Sequence, residues 1–506
     1  MDQKRLAIAK RIGPWLAVLL LLLVGAAAQG IRASDLPPSA VETFVAPTVV
    51  RLPGMLDDLE ERTFRFFWDT ADPETGLVPD RYPTPSYASI AATGFGLTAY
   101  PIGVERGYIT RAAARERVLK TLRFFYHAPQ GAQPTGMAGY NGFYYRYLDM
   151  RTGQRSGDIE LSTVDTALLL GGMLFCESYF NRPDPAEAEI RSLVEAIYER
   201  VDWRWAQLRP PAIVHGWTPE YRFLAYDWRG YNEAMLLYLL ALGSPTHPVR
   251  RDAWSEWERG YAGNWDTEQG QKYLAFGSLF GHQYTHVWID FRGIRDAQMR
   301  QADLDYAENT RRATYAQRAY AIANPMRWNG YGENIWGLTA CDGSANVELP
   351  FAGETRRFRT YWARGVGKGA FDDGTIAPTA ATASIAFAPE IVLPAVTEMF
   401  HRYGPEIVGK YGFYDAFNPS FDFDVPLSYG RRIPGSGWVA TDYLGIDQGP
   451  IVAMIENYRS GLVWGAMREN PHIRRGLERA GFTGGWLDTD STAARRVIGS
   501  TTTPSD

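Results

Sequence analysis

The sequence predicts an all-α fold, an (α/α)6 barrel in which an inner ring of helices is sheltered by an outer one. Three observations carry this. Amphipathic segments alternate with segments apolar on every side, six such pairs fit between residues 53 and 487, and no clear linker interrupts that region. At about 150 residues per domain, 506 residues would suggest roughly three domains. A toroid instead makes 53–487 one large catalytic domain.

In chain order, Leu56, Leu59 and Phe66 form the first amphipathic stripe, and a buried helix starts near Ala91. Val118, Leu122 and Phe125 form the second stripe, ahead of the apolar run 164–175 that starts near Asp165. Ile190, Leu193, Val194, Ile197 and Val201 recur at i, i+3, i+4, i+7 and i+11, one face of a helix. The run AMLLYLLAL (234–242) follows Glu233, and a further buried segment starts near His282. Residues 300–323 and 389–403 read as outer helices, with buried partners starting near Ala380 and Asp447. The all-apolar runs could be buried strands, but their length and Ala/Leu/Met content favour helices. An open solenoid stacks similar pairs. Only a ring shelters the inner helices on every side, so the barrel is the expectation.

Composition excludes several classes. With 45% hydrophobic and 22% charged residues, the chain is neither mainly disordered nor a polytopic membrane protein. Fifty-two basic against 57 acidic residues give a net charge of −5 without a long basic run, which excludes nucleic acid as substrate. No stable membrane partner is expected. Lys4, Arg5, Lys10 and Arg11 precede a short apolar run ending in Ala26, Ala27 and Ala28. That pattern predicts a cleaved export signal over 1–28, in preference to an uncleaved anchor, and a periplasmic or secreted protein. Residues 29–52 read as a linker rich in Pro, Ala and Ser, and 488–506 as a disordered tail. Two cysteines make no disulfide framework, and Cys176, inside an apolar segment, reads as a buried free thiol.

The chemistry concentrates in the loops entering the inner helices: GDIELSTVD (157–165), YDWRGYNEAM (226–235), YGFYDAF (411–417) and YLGIDQGP (443–450). A toroid brings these loops to one end of its cavity. Carboxylates among aromatic rings suit a carbohydrate, because rings stack on sugar C–H faces while acids bind hydroxyls. Glu233, at the mouth of an apolar helix, is the candidate general acid, since burial raises a carboxyl pKa; it reads equally well as a first-turn cap. Asp447 is the candidate base, expected to be ionised, and competes with a reading as N-cap ahead of Pro450. Asp158, Glu160 and Asp165 are candidate sugar-hydroxyl contacts, although Asp165 also reads as a helix cap. Further candidate substrate contacts are Tyr231, Trp228, His282, His286, Arg292 and Trp336.

His282, His286 and Asp290 at i, i+4 and i+8 could ligate a metal, but Gln283 breaks the zincin pattern. Hydrogen-bonded histidines lining the cavity are the preferred reading, so no metal and no other cofactor is expected. Residues 365–369 (GVGKG) lack the first Walker glycine, since Trp362 stands there; they read as an active-site loop. No G-x-S-x-G elbow is present. Two carboxylates flanking a glycosidic bond are the minimal apparatus for its hydrolysis, in inverting or retaining geometry.

Five runs carry a family resemblance: GYNEAMLLYLLALGSPTHP (230–248), SLFGHQYTHVWIDFRGIRD (278–296), NGYGENIWGLTACDG (329–343), DDGTIAPTAATASIAFAPE (372–390) and YLGIDQGPIVAMIENYRSGLVW (443–464). Together they resemble the bacterial glucoamylase-like family, whose relatives include the β-1,2-glucanases of glycoside hydrolase family 144. The resemblance spans about 55 to 485. It implies an (α/α)6 barrel and an inverting hydrolase of β-1,2-glucan that needs no metal, with a glucan oligo- or polysaccharide as its partner. By its motifs, Glu233 matches the general acid and Asp447 the base, and Asp158 and Asp165 lie in the acidic loop around the cleavage site. It further implies that the base reaches its water through a substrate hydroxyl. Related domains transfer glucans instead, and residues 344–371, which do not follow the family pattern, are where chain-end access would be set. Three alternatives stay open: a transglycosylase, a lyase using Tyr284 and His286, and a non-hydrolytic glucan-binding protein.

Overall fold

The computed structural model describes residues 53–488. The expected export signal, the linker and the tail beyond Asp488 lie outside the described residues. Among those described, the helices are α1 (Gly54–Thr70), α2 (Ile90–Glu105), α3 (Arg111–His127), α4 (Thr163–Tyr179), α5 (Pro185–Glu199), α6 (Met235–Gly243), α7 (Asp252–Glu258) and α8 (Phe280–Trp288). The chain continues with α9 (Ala297–Ala302), α10 (Tyr306–Ala323), α11 (Pro378–Thr382), α12 (Pro389–Ile407), α13 (Gly445–Arg459), α14 (Leu462–Arg468) and α15 (Pro471–Arg479).

Helices α2, α4, α6, α8, α11 and α13 are buried along nearly their whole length. These are the six starts expected from the apolar runs. Helices α1, α3, α5, α10 and α12 bury one side and expose the other, as their stripes require. Helix α2 packs against α4 and α13, α4 against α6, and α11 against α13. The Leu236 N–H donates to Thr285 Oγ1 at 3.2 Å, tying α6 to α8, and Gln283 Nε2 donates to Ala380 O at 2.9 Å, tying α8 to α11. Each buried helix therefore touches the next, and the last returns to the first.

Close approach between these helices needs glycine. A Cβ at Gly172 would lie 2.0 Å from Gly94 O, and one at Gly449 would lie 2.1 Å from the Phe95 ring. Cys176 and Cys341 are both free and buried, and Cys176 Sγ faces Leu97 O. No helix among the described residues is long and apolar enough to cross a membrane.

The fold departs from the all-α expectation in its loops. These carry short antiparallel ladders, such as Arg81–Tyr82 on Tyr443–Leu444 and Leu161–Ser162 on Gly216–Thr218. The segment 344–371 contains the hairpin Val347–Phe351 with Glu354–Phe358. Strands of two to five residues are too short for alternation to show in a sequence.

Several seams between elements hold facing carboxyls. Glu60 of α1 meets Glu456 of α13, Glu177 of α4 meets Glu195 of α5, and Glu258 of α7 meets Asp296. Burial, reinforced by the neighbouring carboxyl, pushes Glu60, Glu177 and Glu258 up to about 8. A group whose folded pKa lies above its unfolded value near 4.5 stabilises the fold in acid and loses that contribution as pH rises through its folded pKa. Carboxylates held low by arginines, such as Glu187 beside Arg111, still contribute at pH 5.

Thermal unfolding is therefore expected at a higher temperature at pH 5.5 than at pH 9; equal midpoints would contradict these protonated seams. Gly172→Ala, which drives a methyl into a neighbouring backbone, is expected to cost about 1–3 kcal/mol in denaturant unfolding.

Candidate active site

The short ladders knit together the loops at the N-terminal ends of α2, α4 and α13. Ala88–Ser89 pairs with Tyr147–Leu148, and Ala340–Cys341 pairs with Trp362–Ala363. Backbone polar groups that would otherwise be stranded over apolar helices are satisfied in this way. The side chains of these loops collect at one end of the helix pairs.

Glu233 stands two residues before α6. No side chain caps α6, and Glu233 stands ahead of its N-cap, Ala234; Asn232 closes the turn before the helix, its Oδ1 accepting the Ala234 N–H at 3.0 Å and its Nδ2 donating to Arg229 O. The turn is set by Gly230, at φ 78°, whose N–H donates to Trp257 O at 2.8 Å. The Glu233 carboxyl thus sits partly exposed at the helix mouth. Desolvation pushes it up to about 7, with the Asp165 charge adding to the rise and Arg146 opposing it.

Asp447 lies in the first turn of α13, buried, and no side chain caps that helix. Its carboxyl faces Asp415 rather than the helix N–H groups. Asp415 is also buried; its Oδ2 accepts the Asp342 N–H at 2.6 Å, and its own N–H donates to Asp442 O at 3.0 Å. Asp415 Oδ1 and Asp447 Oδ2 are both buried without a donor. Burial pushes Asp447 up to about 7, with Asp342 and Asp80 adding to the rise and Asp415 opposing it by a hydrogen bond. Asp415 is raised well above the usual carboxylate range by burial and by Asp447. Asp447 is therefore not the isolated, plainly ionised carboxylate expected from the sequence but one member of a buried carboxyl pair.

Arginines neutralise the other acids. Arg81 donates to Asp342 at 2.9 and 3.3 Å and to Asp442 at 3.4 Å, and its guanidinium lies over Tyr429 at 4.5 Å. Arg146 pairs with Glu160 and, at 3.2 Å, with Asp165. Ser162 caps α4, accepting the Asp165 N–H at 3.2 Å, and its hydroxyl donates to the Asp165 carboxylate. Tyr284 joins the two halves. Its hydroxyl is held well above its ordinary range by burial and then by Asp447, Glu233, Asp415 and Asp165, so all four carboxyls face one region. Tyr361, from the segment 344–371, lies within reach of Asp447 and Tyr284.

The structure gathers Glu233, Asp447, Glu160 and Asp165 at this end of the molecule. Asp158 is exposed on the same loop as Glu160. Trp228 is half-buried beside it, stacked on His215 at 3.7 Å and donating to Thr163 Oγ1. Other candidates lie elsewhere. Tyr231 is buried and stacks on Tyr306 at 5.8 Å. His282 and His286 are core residues; His282 Nε2 lies against the Phe276 backbone and His286 Nε2 is 3.1 Å from Thr310 Oγ1. Burial pushes both histidines down to about 3. Trp336 is also buried in the core. Arg292 follows the C-terminal end of α8, where it pairs with Asp290 at 2.8 Å and lies over Trp464, at the end away from Glu233. Local sequence pattern cannot tell which side of a buried helix, or of the loops flanking it, faces a site.

Sequence reasoning did not single out Asp415, Asp342, Arg81, Arg146 or Tyr361. Asp415 and Asp342 stand inside runs already notable for acids and aromatics, YGFYDAF and NGYGENIWGLTACDG. Arg146 and Arg81 carry no such signal, because their partners are distant in sequence.

Acids and tyrosines gathered at one end of paired helices are the setting of a carbohydrate-active enzyme. The family model named Glycoamylase, described as "Putative glucoamylase", matches residues 225–471. A glucoamylase-type crystal structure from Bacteroides uniformis is 31% identical, covers 87% of this chain and all of that one, and superposes with a TM-score of 0.73. An endo-β-1,2-glucanase from Chitinophaga pinensis, solved with sophorotriose and glucose, is 28% identical with a TM-score of 0.73 and covers 86% of this chain and 99% of that one. The exo β-1,2-glucooligosaccharide sophorohydrolase (non-reducing end) of Parabacteroides distasonis is 27% identical over 456 residues, 84% of this chain. The chain spans 57% of that relative's length. The chain belongs to the bacterial glucoamylase-like family.

Proposed function

We propose that this protein hydrolyses β-1,2-linked glucan with inversion at the anomeric carbon, on an (α/α)6 barrel. The observation that carries the reading is Glu233: standing ahead of an uncapped helix, partly exposed, and pushed up to about 7 near Asp165 and Tyr284. A carboxyl at that value is still protonated near neutral pH and can donate to the glycosidic oxygen as the bond breaks. Asp447, when ionised, withdraws a proton from the attacking water, through a substrate hydroxyl as the family resemblance implies. Tyr284, between the two, is placed to contact the sugar at the cleavage point. Glu160 and Asp165, oriented by Arg146, are placed to accept sugar hydroxyls beside Glu233. The named activities of the Chitinophaga and Parabacteroides relatives support the linkage. The basic and apolar pattern of residues 1–28 supports export to the periplasm or beyond.

Purified protein incubated with linear β-1,2-glucan is expected to release new reducing ends. Altered product sizes without new reducing ends would replace hydrolysis by transfer. Glu233→Gln is expected to keep the fold and glucan binding while turnover falls by about 10²–10⁴-fold, the usual range for a general acid; wild-type turnover in that variant would remove Glu233 from its role. The working state needs Glu233 protonated and Asp447 ionised. The first is lost as pH rises through about 7 and the second as pH falls through about 7. kcat/KM is therefore expected to trace a narrow bell centred near neutrality, and a plateau extending below pH 5 would contradict the pairing.

A further inference from the structure

We propose that Asp415 is a positioning residue that carries the proton shared with Asp447, so that Asp447 remains the ionised member of the pair and is held in one orientation. This rests on the reading of Asp447 as base.

The geometry starts from a charge count. Four buried carboxyls crowd this corner: Asp342, Asp442, Asp415 and Asp447. Arg81 ion-pairs with the first two. No salt bridge to Asp415 or Asp447 forms among the described residues, and two adjacent buried carboxylates without a counter-ion cannot both stay ionised. One proton between them resolves two otherwise unexplained atoms at once, because the donorless Asp415 Oδ1 and Asp447 Oδ2 then become donor and acceptor.

Position in the fold decides the proton's owner: Asp447 lies in the first turn of α13, where the helix dipole favours its ionised form, and this together with burial outweighs the lowering of Asp415 by the Asp342 N–H. Asp415 is fixed by the Asp342 N–H on Oδ2 and by its own N–H on Asp442 O, which leaves Oδ1 to point at Asp447. The other groups facing the pair are Asp80, Tyr284, Tyr361 and Cys341, and burial keeps both tyrosines and the thiol neutral. Asp342 and Asp80 add negative charge, which favours one shared proton over none. The raised titration of both partners agrees with that arrangement.

The test compares Asp415→Asn, Asp415→Leu, Asp447→Asn and Glu233→Gln in the full chain on linear β-1,2-glucan from pH 5 to 9, with thermal unfolding as a check on the fold. Asn can accept the Asp342 N–H and donate to Asp447 permanently, as the protonated acid does. It is expected to keep turnover within about tenfold of wild type, with the acid limb of kcat/KM unmoved or lower. Leu removes the donor; the acid limb is expected to rise by about one pH unit or more, with kcat falling more than KM rises. A folded Asn variant without activity, or a Leu variant with the wild-type profile, would overturn the proposal. Should Leu fail to fold, the Asn variant decides alone. Activity retained in Asp447→Asn with Glu233→Gln inactive would instead overturn the reading of Asp447 as base. That outcome is separate from a failure at Asp415.

Discussion

Everything at the acidic end of this molecule follows from six helices with almost no polar face. Helices α2, α4, α6, α8, α11 and α13 are enclosed by one another and by the outer helices, so their flanks accept Ala, Leu, Gly and aromatic rings and reject ionised groups. Polar chemistry is pushed to the helix ends and the loops that enter them. There it meets two environments at once, solvent on one side and an apolar floor on the other. Glu233, placed at that boundary, loses hydration without becoming inaccessible, which is the condition for a carboxylic acid that stays protonated near neutral pH.

Charge is partitioned with few cations. Arg146 pairs with Glu160 and Asp165 on the side of Glu233, and Arg81 pairs with Asp342 and Asp442 on the side of Asp447. Glu233 and the Asp415–Asp447 pair have no such partner, so protons do what arginines do elsewhere. The same solution recurs away from the site, where Glu60 and Glu456, Glu177 and Glu195, and Glu258 and Asp296 meet across seams. At the first of these seams Arg459 ion-pairs with Glu60 and lies near Glu456, and burial with the facing carboxyl still raises Glu60.

Particular residues show how far the sequence could be read. The six buried helix starts were legible because apolar runs such as 164–175 and 234–242 have no polar register. Glu233 and Asp447 were legible because each breaks into such a run at its N-terminal edge. Tyr231, His282, His286 and Trp336 share the same runs but turn into the core. Their rotation about a helix or loop is set by neighbours, among them Tyr306 and Thr310, that the local pattern does not contain. The short ladders were not legible, since two paired residues carry no periodicity.

Sequence by itself therefore determined the alternation of one-sided and fully buried helices, the family, and the two carboxyls at helix mouths, because burial and motif spacing are local properties of the chain. Tertiary structure alone decided the protonation of those carboxyls. Glu233 is desolvated at the mouth of α6 beside Asp165 and Arg146, and Asp415, from a loop more than thirty residues before Asp447, meets it carboxyl to carboxyl. Arg81 reaches across 261 residues to Asp342 and so is spent before it can serve that pair. A pKa is the work of bringing a charge into a particular surrounding, and that surrounding exists only once distant segments have packed together.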